Sequence, residues 1–288
     1  MQALRIMGDV GILVFVVATM ASLGLQLTIG QIVGPLGNRF LAAKALFANF
    51  VLAPALALAI RALIPLDDGF AIGLILMATA AGAPFLPPLV QIAKGDIATS
   101  VGALVLLMGA TVLFLPLVLP LLIPGVQVNP RDIARSLVLC MLIPLAIGLI
   151  VNRRRPAMAA RLLPIVSALG RAGLALGAVV LLALHGRSLL GTFGTGAIFA
   201  SIALAAGTLL FGRLIAGSDR AARPVLTLAT GARNIPAALV VAEQNFADPN
   251  VLVMCLLFAF VSVAGLFIAA RLLGRGPALA SVDAPSER

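Results

Sequence analysis

Two short stretches carry the residue types and spacings that could do chemistry. The first reads Ala80-Ala81-Gly82-Ala83-Pro84-Phe85-Leu86-Pro87-Pro88. The second reads Thr227-Leu228-Ala229-Thr230-Gly231-Ala232-Arg233-Asn234-Ile235-Pro236. Each sits inside an apolar run long enough to cross a bilayer. Pro84, Pro87 and Pro88 remove three backbone donors and clash with the preceding turn, so an unbroken helix cannot pass through the first stretch. In the second, Gly231 permits unusual backbone angles, Asn234 is a good N-cap, and Pro236 fits the first turn of a new helix. Each stretch therefore predicts two half-helices joined by irregular backbone near the bilayer centre. Backbone of that kind is tolerated at such depth only inside protein or against a water-filled cavity.

Arg233 carries the strongest charge in either stretch. A guanidinium at the bilayer centre costs at least about 2.5–3.5 kcal/mol on the insertion scale. Two readings follow: a structural arginine bonded to carbonyls of the broken helices, or an anion ligand or built-in counter-charge. The second is preferred because no carboxylate falls inside a span core. Asp9, Asp67, Asp68, Asp96, Asp132, Asp219, Glu243 and Asp248 map near helix ends, and Asp283 and Glu287 to the tail. An unpaired central arginine beside two half-helix N-termini would form a positive site. The expected substrate-binding residues are Arg233, Asn234, Thr230, Gly231, Pro84, Phe85 and Pro87. Arg171, about two turns inside another apolar run, is read as snorkelling to the membrane surface. Cys140 and Cys255 sit in apolar runs and read as packing residues, while His185 stands alone at a helix end. No catalytic set and no metal-ligand spacing emerges. An intramembrane aspartyl protease lacks its two buried aspartates, a serine enzyme its histidine partner, and a lipid transferase its carboxylate cluster.

The elements that must position these residues are membrane spans. Of 288 residues, 62% are hydrophobic and only 10% charged, where a soluble domain carries about 25% charge. Mean hydropathy is +1.17. A soluble enzyme and a disordered chain are excluded, because a soluble chain of this length could not hide so much apolar surface. The apolar runs are too long and continuous for the alternating strands of an outer-membrane barrel. The fold class is an all-α polytopic membrane protein with nine transmembrane helices, near 9–29, 40–64, 69–93, 97–123, 131–152, 162–184, 189–215, 223–245 and 249–273. Breakers separate them, among them Gly34-Pro35, Pro124-Gly125 and Gly186-Arg187. The first run lacks a small-residue cleavage site and reads as the first span rather than a signal peptide. Residues 1–275 form one transport unit, and 276–288 a mobile cytoplasmic tail.

The formal charge of +10 reflects topology rather than nucleic-acid binding. Arg5, Arg61, Arg131, Arg135 and Arg187 fall on the N-terminal side; the opposite side carries thirteen Lys and Arg, including Lys94, Arg153-Arg154-Arg155, Arg213, Arg220 and Arg223. The positive-inside bias then puts the N-terminus outside and the C-terminus in the cytoplasm, in the cell's inner (plasma) membrane. The interrupted spans, third and eighth, lie five spans apart. Paired interruptions in corresponding halves point to an inverted-repeat transporter, here five plus five helices lacking the first.

The quoted residues also carry a resemblance. Leu74 to Ile123, with Gly82-Ala83-Pro84 at the break and Ala93-Lys94-Gly95-Asp96-Ile97-Ala98-Thr99-Ser100 after it, resembles the bile acid:sodium symporter family. So do Thr230-Gly231-Ala232-Arg233-Asn234, the helix Ala237–Ala242, and the early Leu23-Gly24-Leu25-Gln26-Leu27. The resemblance implies interleaved panel and core subdomains, two discontinuous helices that cross, and transport of organic anions. It also implies a contrast. Where sodium-coupled members carry a glutamate before the second motif and a glutamine within it, this chain has Ala229 and Arg233. A serine and an asparagine at the first break align with Leu86 and Pro87. Of two hydroxyls on the next helix, Ser100 remains and the other position is Leu104. The expected function is a secondary-active transporter of a small organic anion, bile-acid-like or carboxylate, without strict sodium dependence. No cofactor is expected, and sodium stays an option that is not favoured. The alternatives are a sodium symporter using backbone carbonyls and hydroxyls such as Ser100 and Thr230, or an uncoupled facilitator of the same fold. The expected partners are the organic anion and the lipid bilayer, with no nucleic acid.

Overall fold

The computed structural model describes residues 2–28, 30–31, 38–123, 129–192 and 194–275. The helices in chain order are α1 (Gln2–Gln26), α2 (Arg39–Leu63), α3 (Asp68–Thr79), α4 (Leu86–Ile92), α5 (Ile97–Leu122) and α6 (Pro130–Arg154). They continue with α7 (Pro156–Gly191), α8 (Ala197–Ala216), α9 (Ala222–Gly231), α10 (Ile235–Asn245) and α11 (Pro249–Gly274). Seven of these, α1, α2, α5, α6, α7, α8 and α11, are long and apolar enough to cross a membrane. The protein is an all-helical, multi-pass membrane protein.

Helix ends follow local chemistry. Asp96 caps α5 by accepting from the amides of Ala98 and Thr99, and Asp248 caps α11 by accepting from Asn250. Asp219 accepts from Ala221 and Ala222 at the start of α9. Each carboxylate thus satisfies orphan N–H groups at a helix start. α2 and α6 each contain a wide π-helical turn, at Ala48–Leu52 and Val138–Leu142. Pro54 and Pro144 follow these turns, and the residues four positions earlier, Phe50 and Cys140, lie inside them. The wider turn relieves the clash of each proline ring with the preceding carbonyl.

The structure departs from the sequence reading at Gly186-Arg187. That break is absent, because α7 continues to Gly191. A lone glycine costs only about 1 kcal/mol in a helix interior, and no proline accompanies it. The Gly34-Pro35 and Pro124-Gly125 breaks, the His185 side chain and the 276–288 tail lie outside what is described.

Two packing groups organise the chain. α1 lies along α7 and α6 at very short range. A methyl group on Gly11 would come within 2.7 Å of the Gly177 nitrogen, and one on Gly173 within 2.7 Å of the Phe15 nitrogen. Gly24 and Gly148 meet the same way where α1 crosses α6. Gly173 and Gly177 are spaced as a small-xxx-small pair, which lets backbones touch in a bilayer. In the second group, α3 packs against α11, and α9 against α8. α3 is buried from Gly69 to Thr79 and α10 from Ile235 to Ala242. By contrast, α5 leaves Leu113, Leu117 and Leu121 exposed on one face. Helices that are apolar all round and enclosed by others form the molecule's interior; the leucine stripe faces lipid.

Candidate functional site

Both chemistry-bearing stretches sit where a helix stops and another starts. α3 ends at Thr79 and α4 begins at Leu86; α9 ends at Gly231 and α10 begins at Ile235. Each short helix is 7 to 12 residues long. None spans a hydrocarbon core of about 30 Å alone. The two irregular segments meet. Ala81 and Arg233 pair as an antiparallel bridge, and the Asn234 amide donates to the Ala80 carbonyl at 2.9 Å. The pairing residues of the first segment are Ala80 and Ala81, while Pro87 and Pro88 lie in the first turn of α4.

The first segment is fixed from α5. Thr111 accepts from the Ala81 amide at 2.9 Å and donates to the Ala81 carbonyl at 3.0 Å. Gly82 adopts φ +82, and a Cβ there would approach the Met108 nitrogen to 2.4 Å. Only glycine meets both demands. The second segment is fixed by Asn234, whose side chain accepts from the Ala237 amide at 3.1 Å and caps α10.

Arg233 is fully buried, at 0% exposure. Its guanidinium donates to the Ala78 carbonyl at 3.2 Å, to the Asn49 side-chain oxygen at 2.7 Å, and to the Thr230 carbonyl. Asn49 is held for this, since its own amide donates to the Ala45 carbonyl at 2.9 Å. The expectation of an unpaired arginine beside two helix N-termini is corrected here. Ala78 and Thr230 belong to the last turns of α3 and α9, so the charge sits at two helix C-termini. Those ends carry unsatisfied carbonyls and partial negative charge, which a cation complements. The guanidinium is thus bonded as the structural reading of Arg233 describes.

Two donors are left over. The Nε of Arg233 and the Nδ2 of Asn234 are buried without a hydrogen-bond partner. Unmet buried donors on adjacent residues are costly, at about 1–3 kcal/mol each, and more for a charged group. Thr230 is buried and its hydroxyl donates to the Leu226 carbonyl at 2.8 Å; Ser100 donates to Ile97 at 2.6 Å. Gly231 is buried, and Pro84, Phe85 and Pro87 are half-buried. Among the described residues no hydrogen bond links Ser100, Pro84, Phe85 or Pro87 to Arg233.

Sequence reasoning missed Asn49 and Thr111. A signal existed for both. Asn49 is the one uncharged polar residue between Arg39 and Leu63, and Thr111 the one polar residue after Ser100 in α5. A polar side chain in mid-span is expected to face a partner.

A family model, the sodium bile acid symporter family, matches residues 12–192. That is more than half of the chain. The chain belongs to this family. Members of the sodium bile acid symporter family are transporters rather than enzymes, so this chain is a membrane transporter of the bile-acid or organic-anion type. The matched region contains α3, its interruption and Thr111; the Arg233 segment lies beyond it. No individually curated protein matches the sequence.

Proposed function

We propose that this chain is a secondary-active transporter of a small organic anion, working by alternating access without requiring sodium. The observation that carries the proposal is the pair of orphan donors, Arg233 Nε and Asn234 Nδ2, at the meeting point of the two interrupted helices. Both are N–H donors, among the described residues no carboxylate bonds to them, and a substrate carboxylate would supply the missing acceptors. Thr230, Gly231, Pro84, Phe85 and Pro87 complete the proposed substrate surface. Arg233 is closed off from solvent, so an anion reaches it only when the two packing groups part. Motion of a panel formed around α1, α6 and α7 against a core formed around the interrupted helices would provide that opening.

The proposed path has nine passes: seven continuous helices, with α3–α4 and α9–α10 as the interrupted third and eighth. It is read as five plus five inverted repeats lacking the first helix. The Lys and Arg bias puts the N-terminus outside and the C-terminus in the cytoplasm of the inner membrane.

Sodium independence rests on charge. Arg233 already binds the Ala78 and Thr230 carbonyls that a cation could otherwise use. A second positive charge about 4 Å away would be repelled by about 4 kcal/mol at an effective dielectric of 20, roughly a thousandfold in affinity. Ala229 supplies no balancing carboxylate. The test is a thermal-shift screen of purified protein against organic anions, with and without sodium, followed by uptake in sodium-free liposomes. Equal stabilisation and uptake in both media are expected. A strict sodium requirement would replace this reading with the sodium symporter, its ion held by carbonyls and hydroxyls such as Thr230 and Ser100. Counterflow without concentrative uptake would replace it with the facilitator.

A further inference from the structure

A cleft of about 690 Å³ opens at one end of the molecule, where the α4–α5 hinge, the end of α8, the start of α9 and the end of α11 come together. It lies on helices of the second packing group and is separate from the Arg233 site. Lys94, Arg213, Arg220 and Arg223 line it. Among the described residues none of the four is ion-paired, since the recorded bridge is Arg61 with Asp68. The neighbouring carboxylates are already in use: Asp96 caps α5 and Asp219 caps α9. Among the described residues the four cations outnumber these two carboxylates, so a net positive charge is left at the cleft.

Two further observations point to an absent acceptor. Thr227 lines the cleft, is 4% exposed, and its hydroxyl has no partner. Arg223 donates to the Gly217 carbonyl at 2.8 Å, yet its Nε is buried and unpartnered. A hydroxyl and a guanidinium N–H left open beside three other cations suit the oxygens of a phosphate.

The remaining walls identify the rest of the ligand. Leu209, Leu210, Ala269, Leu272 and Leu273 line the same cleft. Leu210 is 52% exposed and Leu272 59%, on the outside of apolar spanning helices. The cleft is therefore charged towards the membrane surface and open to the hydrocarbon at its side. A free phosphate ester would leave the leucines unused, and a zwitterionic lipid would bring its own cation against four others.

We propose that this cleft binds an anionic phospholipid, its phosphate on Lys94, Arg213, Arg220, Arg223 and the Thr227 hydroxyl, and its acyl chains along Leu210 and Leu272. The lipid bridges helix ends that are far apart in sequence and adjoins the hinge at Lys94. By the Lys and Arg bias this end faces the cytoplasmic leaflet, where anionic headgroups meet basic pockets between helices.

The test uses the full chain in detergent. Phosphatidylglycerol, phosphatidylcholine, glycerol 3-phosphate and inorganic phosphate are each added in a thermal-shift assay, and bound lipid is counted by native mass spectrometry. Phosphatidylglycerol is expected to raise Tm by several degrees and to remain bound at one copy, the others giving little shift. R213Q/R220Q changes two exposed residues and is expected to weaken phosphatidylglycerol binding roughly tenfold or more. R154Q/R155Q removes the same charge at the same end, away from the cleft, and is expected to bind as wild type. Equal shifts from both lipids, or equal losses in both double variants, would overturn the site. A full shift from glycerol 3-phosphate or inorganic phosphate would reassign it to a soluble phosphate. If R213Q/R220Q were poorly folded, the lipid count on wild-type protein exchanged between phosphatidylglycerol and phosphatidylcholine would decide instead.

Discussion

The crossing around Arg233 and the seam between α1 and α7 are both places where backbones come close, and they do so by opposite means. At the crossing, helix ends and irregular segments expose carbonyls and amides that must be met: the Arg233 guanidinium, held by Asn49, meets the Ala78 and Thr230 carbonyls, and Thr111 meets Ala81. At the seam the helices are regular, their backbone groups are bonded within each helix, and glycines merely remove what would keep them apart. The crossing is specified by a discrete set of partners. It cannot shift by an ångström without unpairing buried groups, which lends itself to two-state behaviour. The seam holds instead by close packing, with one hydroxyl pair, Ser22 and Ser167, across it. The comparison assigns recognition to one region and the cohesion of the α1–α7 pair to the other.

The largest expected effect is at the crossing. Arg233→Gln removes the charge shared by two helix C-termini and should cost about 3–5 kcal/mol, with loss of anion uptake. Tm in detergent and liposome uptake measure both. Retained uptake with wild-type Tm would break the comparison at its stronger end. Next comes the seam. Gly173→Leu drives a side chain into the Phe15 backbone and should cost about 1–3 kcal/mol or more. Substrate affinity of the folded fraction should stay unchanged, and a weaker Kd in that fraction would show that the seam takes part in recognition. Thr111→Val then leaves the Ala81 amide and carbonyl unmet, for about 1–3 kcal/mol. Here substrate Kd should rise along with the fall in Tm, unlike at the seam. The smallest effect should be Ser167→Ala. Its hydroxyl meets that of Ser22 at 3.2 Å between α7 and α1. Such bonds in membranes average about 0.6 kcal/mol, so Tm should move little. A large drop would mean that the seam, too, depends on a polar partner.

Much of this arrangement was legible because membrane backbone chemistry is local. Prolines 84, 87 and 88 and the Gly231–Pro236 run mark the two interruptions without knowledge of anything distant. The second span was read as 40–64 and forms α2 at Arg39–Leu63. What stayed hidden is long-range or depends on competition. No spacing shows that Arg233 would find Asn49, 184 positions earlier, or that Thr111 would brace Ala81. The charge of Arg233 was visible, but not that helix C-termini rather than N-termini would surround it. The Gly186 break failed for the opposite reason: a weak local signal yielded to helix continuation. The small-xxx-small pair at Gly173 and Gly177 became meaningful only once α1 lay against it.

The length of α7 has a mechanical consequence. Thirty-six residues make a rod of about 54 Å, against a hydrocarbon slab of about 30 Å. Such a rod leans, projects beyond the slab, or both, and its inclination depends on slab thickness. α1 is held to α7 by close backbone packing at Gly11, Gly173 and Gly177 and by the Ser22–Ser167 hydroxyl pair, so the two incline together. Membrane thickness thereby becomes an input to this protein: a thicker or thinner bilayer would reset the resting angle of the α1–α7 pair relative to the rigid crossing, and with it the ease of opening.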